Sequence, residues 1–214
     1  MKKTNPDRAC VKVFAKISAA ISHEIKNTLS IINENAGLLE DFAQMADENQ
    51  GVAVERVLSV TKTIAKQVDR SNTIMKDLNR FAHSADTSLA HGNLEEVLTL
   101  VVALTSRQAA MKNITTTLVC PPDIALSTDL ISFESLVYLT LLTLFQGSVD
   151  GSIIEIEARE ETASISICFT IENKDDLSIS NYPDEDQKLL FDPIHASCRT
   201  EENKLFLSFP AVVK

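Results

Sequence analysis

No two cysteines stand close together. Cys10, Cys120, Cys168 and Cys198 are scattered, which excludes the paired ligands of a zinc site and a redox Cys-x-x-Cys. The pattern fits incidental thiols in a reducing compartment. An apolar run of membrane length is also missing: LTLVVAL and LVYLTLLTLF fall well short of the ~20 residues that a span needs, and no apolar stretch follows the lysines of MKKTNPDRAC. Neither signal peptide nor membrane span is expected, so the expected location is cytoplasmic and any stimulus arrives through another protein. Basic residues are the minority, 20 against 30 acidic, and the net charge of -10 argues against nucleic acid or an anionic membrane as partner. A basic-faced partner fits better.

What is present suffices for a folded protein. Hydrophobic residues make up 44% of 214, enough for the cores of one large or two small domains. From about residue 7 to residue 49 there is no proline and one glycine, Gly37. A stripe through Phe14, Ile17, Ile21, Ile25, Thr28, Ile32, Leu39 and Phe42 advances in steps of mostly three and four, which predicts one long amphipathic helix. The polar stretch ADENQG breaks it. A second such run, about residues 52–84, carries Val57, Val60, Ile64, Val68, Ile74, Leu78 and Phe81. Two long helices joined by a short turn make an antiparallel hairpin, whose uncovered apolar stripes are best buried against a second copy. A dimeric four-helix bundle is the expectation.

After His91 the texture changes. Asn93 is placed to cap a helix to about Ala110, with Glu95 and Glu96 in its first turn. ITTTLVCPP reads as a strand ended by Pro121 and Pro122, a helix follows over about residues 129–146, and GSVDG is a turn. SIIEIEARE and ASISICFTIE alternate with period two and form a strand hairpin, residues 173–188 read as a loop, and KLFLSFPAVV supplies a last strand. The expected architecture is a helical hairpin over residues 1–88, then an α+β sandwich of helices on one face of a mixed sheet over residues 89–214.

The segment ISHEIKN, residues 21–27, carries the chemistry. At about 100° per residue, His23 points roughly 160° away from the mean direction of the apolar stripe and so faces solvent. Asn27, four residues on, and Lys26 share that face, and Glu24 flanks the histidine nearer the stripe. An exposed imidazole is a nucleophile at neutral pH, because its ordinary pKa of about 6.5 leaves it largely unprotonated. A neighbouring carboxylate can orient the ring by accepting one N–H. His83, His91 and His195 have no comparable setting and read as surface residues, and the acidic run YPDEDQ reads as a solvated loop.

ISHEIKNTLSII resembles the H-box of the sensor histidine kinases, and SNTIMKDLNRFAHSA resembles the end of that family's second hairpin helix. By this resemblance His23 is the phosphorylated residue, Glu24 the acid/base neighbour, and Asn27 the group that positions water when such domains dephosphorylate a response regulator. Ser22, Lys26 and Ser30 then belong to the partner-docking face. Thr28 stands where the family usually has proline, which leaves that residue's helix kink open.

The second half is similar in layout to the family's ATP-binding domain, a GHKL-like sandwich, but in degenerate form. Leu139 and Thr143 stand where two asparagines are expected, and threonine is a poor magnesium ligand. Glu172, Lys174 and Asp176 replace the key positions of an Asp-x-Gly-x-Gly box. With five glycines in the chain, there is no Gly-x-Gly loop to bring backbone amides to phosphates. LLFDPIHASC resembles the box before the family's lid, yet it is read as running directly into the final strand. The resemblance thus implies a dimeric histidine phosphotransferase passing phosphate between response-regulator receiver domains through His23. No cofactor or metal of its own is implied, since magnesium would sit in the receiver's acidic pocket, and the degenerate domain would add docking surface. A regulator phosphatase using Asn27, a non-catalytic pseudokinase that binds a kinase or regulator, and an autokinase with an unusual nucleotide site remain the alternatives.

Overall fold

The computed structural model describes residues 5–46, 51–87, 89–172 and 182–211. Helix α1 spans Pro6–Met45 and α2 spans Val54–His83, 40 and 30 residues long. The chain forms two compact units, one of Met1–Lys16 with Arg80–Lys214 and the other of Ile17–Asn79. The division therefore falls inside the two long helices, whereas the hydrophobic pattern had suggested the linker near residue 88. The ends of both helices are apolar on a face that the second half of the chain covers: Ala9, Val13 and Phe81 are buried. Phe14 stacks on Phe81 at 6.4 Å between centroids while remaining 43% exposed.

In the Ile17–Asn79 unit the two helices run antiparallel, because Glu24 pairs with Arg70 while Arg56 lies over the Phe42 ring. Ile17, Ile21 and Thr28 of the expected stripe are buried, as is Val60 of the facing helix. Leu29, Leu38, Val54, Leu58 and Met75 are exposed.

The other unit adds β1 (Ala90–Asn93), α3 (Leu94–Met111), β2 (Thr115–Val119), β3 (Ala125–Thr128), α4 (Leu130–Gly147), β4 (Ile153–Glu160), β5 (Ser164–Glu172), α5 (Glu185–Ile194), β6 (Ser197–Glu201) and β7 (Lys204–Pro210). The main sheet has the order β2-β4-β5-β7-β6, with β2 parallel to β4 and the other pairs antiparallel. β1 and β3 form a separate antiparallel pair. Ile165, Ile167, Phe169 and Ile171 of β5 are buried and alternate with half-buried Ser166, Cys168 and Thr170, so one face of the sheet carries the core. Every residue of α4 from Ser132 to Leu141 is buried, and Phe133 meets Phe209 edge-on at 5.0 Å. By length and composition α4 would suit a membrane, but 67% of it is buried inside the fold, which makes it the core helix.

Asn93 caps α3 as expected, accepting from the Glu96 N–H at 3.1 Å. Two expectations are corrected. The segment read as a loop up to Lys188 enters α5 at Glu185, and β6 precedes the final strand. The cause is local: Asp184 and Gln187 form a reciprocal capping box, Oδ1 accepting from the Gln187 N–H at 2.8 Å and Oε1 accepting from the Asp184 N–H at 2.7 Å. The acidic run thus starts a helix.

Candidate functional site

The site is built on one stretch of α1. Burial of Ile17, Ile21 and Thr28 fixes the helix rotation, and that rotation leaves His23 exposed, with Ser22, Lys26, Asn27 and Ser30 exposed around it. Among the described residues the imidazole makes no hydrogen bond or ion pair, so both ring nitrogens are open to an incoming group. Ser22 is tied back, its hydroxyl donating to the Ser18 carbonyl at 2.7 Å.

Glu24 behaves differently from a simple partner of the histidine. Its Oε1 accepts from Arg70 Nη2 of α2 at 2.7 Å, and its side chain is only 16% exposed. The carboxylate is held against the second helix, an arrangement that no spacing within α1 reveals.

One turn further, α1 passes through Thr28 without a break. Its hydroxyl lies 2.8 Å from the Ile25 carbonyl and 2.8 Å from Ser71 Oγ, and Ser71 donates to the Gln67 carbonyl at 2.9 Å. A polar link between the helices thus occupies a position where proline would have removed a backbone bond. The Gln67 side chain is buried beside it, with Oε1 lacking a partner among the described residues.

In the sandwich, the α4 positions of interest are covered by protein. Leu139 is buried. Thr143 Oγ1 donates to the Leu139 carbonyl at 3.0 Å and accepts from Gln187 Nε2 at 3.0 Å, with the Gln187 side chain fully buried. Thr140 Oγ1 and the Tyr182 hydroxyl lie 3.0 Å apart, and burial pushes the Tyr182 phenol well above its usual range. α5 and Tyr182 therefore seat on α4. Of the replaced Asp-x-Gly-x-Gly positions, Glu172 ends β5, and Lys174 and Asp176 lie outside the described residues.

The other histidines are scattered. His83 pairs with Asp86 at 2.8 Å on the surface, His91 lies exposed on β1, and His195 is the left-handed cap residue of α5 at φ 50°. Among the described residues no three His, Cys, Asp or Glu side chains converge as metal ligands would.

No protein-family model matches the chain, and no curated protein matches it. Solved structures similar to it are histidine kinases. The catalytic domain of histidine kinase ThkA aligns with a TM-score of 0.50 at 11% identity, covering 58% of this chain and 99% of that one. Acinetobacter baumannii histidine kinase AdeS aligns at 0.46 and 11% identity over 88% of this chain and 96% of that one. ThkA in complex with the response regulator protein TrrA aligns at 0.46 and 13% identity, over 96% of this chain and 64% of that one. At such identities the likeness is one of fold, and it rests on the α/β sandwich, which resembles that of a histidine-kinase catalytic domain.

Proposed function

We propose that this chain is a histidine phosphotransferase of two-component signalling. His23 takes a phosphoryl group from the aspartyl phosphate of one response-regulator receiver domain and passes it to another. The observation that carries the reading is the exposed imidazole of His23 within ISHEIKN, on the outer face of a paired-helix unit. One ring nitrogen forms the N–P bond as the P–O bond to the receiver aspartate breaks. The carboxylate leaves with the electron pair, and the ring gives its N–H proton to solvent. Magnesium bound by the receiver neutralises the phosphoryl oxygens, and the hairpin supplies position. Ser22, Lys26 and Ser30 form the docking face. The cover of α4 by α5 and Tyr182 favours transfer between receivers over ATP-dependent autophosphorylation.

The test is incubation with labelled phospho-receivers from the same genome. Label is expected on the wild type and none on His23→Ala. An unlabelled wild type, or equal label on the variant, ends the proposal. A phosphatase reading draws on Asn27, which is exposed one turn from His23. It predicts regulator dephosphorylation that persists in His23→Ala and collapses in Asn27→Ala. Partner binding indifferent to both changes would point to a non-catalytic pseudokinase.

The working form is proposed to be a cytoplasmic homodimer. Leu29 and Leu58 are each more than half exposed on the hairpin helices, an apolar surface that a second copy would cover. Light scattering is expected to give twice the chain mass for the wild type and the chain mass for Leu29→Glu/Leu58→Glu. A monomeric wild type at micromolar concentration would refute this.

A further inference from the structure

The Glu24–Arg70 pair has a consequence for any phosphoryl group arriving at His23. The side chain next to the imidazole in sequence is a carboxylate at 16% exposure, and a dianionic phosphoryl group arriving at His23 meets repulsion from it. Arg70 comes from the other helix and donates to that carboxylate at 2.7 Å. Charge-assisted contact of this kind both fixes the carboxylate and cancels its charge. Lys26, on the same exposed side of α1 as His23, is held by no ion pair among the described residues.

We propose that Arg70 is a positioning residue for phosphoryl transfer: by clamping Glu24 against α2 it removes the anionic barrier next to His23 and so admits the phosphoryl group. The proposal rests on His23 as phosphoacceptor. Glu24 in this arrangement is restrained and charge-neutralised, and the ring proton released on transfer goes to solvent. Because Arg70 is 56% exposed, the effect is modest and sensitive to salt.

Phosphoramidate tests this without any receiver, using the full-length protein. The imidazole nitrogen forms the N–P bond, the reagent's P–N bond breaks, ammonia leaves with the electron pair, and the ring releases its proton to solvent. His91 and His195, both exposed, serve as references within the same sample. Phosphorylation at each histidine is followed by mass spectrometry at low ionic strength. Arg70→Ala is expected to slow labelling of His23 relative to the references by about three- to tenfold, the factor that one unit-charge interaction across a few ångströms of hydrated surface supplies. Arg70→Lys is expected to recover most of the rate. Adding Glu24→Gln to Arg70→Ala is expected to recover it as well, because no carboxylate is left to neutralise; a merely structural arginine would not be rescued in this way. The gap is expected to narrow in high salt. Unchanged labelling in Arg70→Ala, or no gain from the added Glu24→Gln, overturns the proposal. If phospho-receivers fail to label His23 while these phosphoramidate differences hold, the relay reading falls and the clamp stands.

Discussion

Replacing Glu134 with glutamine is expected to abolish a loss of stability that the wild type suffers between about pH 5 and pH 8. Glu134 sits in α4 at 1% exposure, with Oε2 unpartnered among the described residues. Burial pushes its carboxyl from an ordinary 4.5 up to about 8, against the smaller opposing pulls of the Ser84 hydroxyl and the Arg80 guanidinium. The folded protein thus holds a proton that the unfolded chain has released. Where the native state binds more protons, unfolding free energy falls as pH rises. Below pH 4.5 the group costs nothing differential, by pH 7 the penalty is roughly 3 kcal/mol, and above pH 8 it approaches roughly 5 kcal/mol. Glutamine keeps the shape without a proton to lose. Urea unfolding at pH 5, 6.5 and 8 is expected to show the variant gaining on the wild type at each step. Parallel pH curves for the two proteins would contradict this assignment.

The second large effect concerns the cover over α4. Gln187→Ala removes three things at once: the acceptor for the Asp184 N–H, the donor to Thr143 Oγ1, and a fully buried side chain. A lost cap costs about 1 kcal/mol, and a buried bond with its cavity adds a comparable or larger amount, so roughly 2–4 kcal/mol is expected. Asp184→Ala removes only the reciprocal half of the box and is expected to cost about 1 kcal/mol. Chemical denaturation gives the totals, and amide exchange shows whether the loss is concentrated in α5. Equal costs for the two variants would mean that the bond from Gln187 to Thr143 contributes nothing to seating α5.

The outward face of His23 was legible because rotation of an amphipathic helix is set by its own apolar spacing, and Ile17, Ile21 and Thr28 are buried where that spacing places them. Asn93 as a helix cap was legible for the same local reason. α5 was also within reach: Asp184-x-x-Gln187 is a capping-box pattern, and the surrounding acids masked it as a solvated loop. Phe14 illustrates the limit. It belongs to the stripe by period yet lies 43% exposed, with its ring stacked on Phe81, 67 positions along the chain.

Sequence by itself determined the two long helices, α3, α4, the β4–β5 hairpin, and the exposed histidine with its polar neighbours, since each depends on residue type or on spacing within a few turns. Only the tertiary structure decided that Glu24 is held by Arg70, that Thr28 is tied to Ser71, that Gln187 reaches Thr143, and that Glu134 is buried. Those pairings join residues about 40 or more positions apart, and Glu134 loses its water to residues equally remote. Such distances are set by how packed elements come to rest, which no local periodicity encodes.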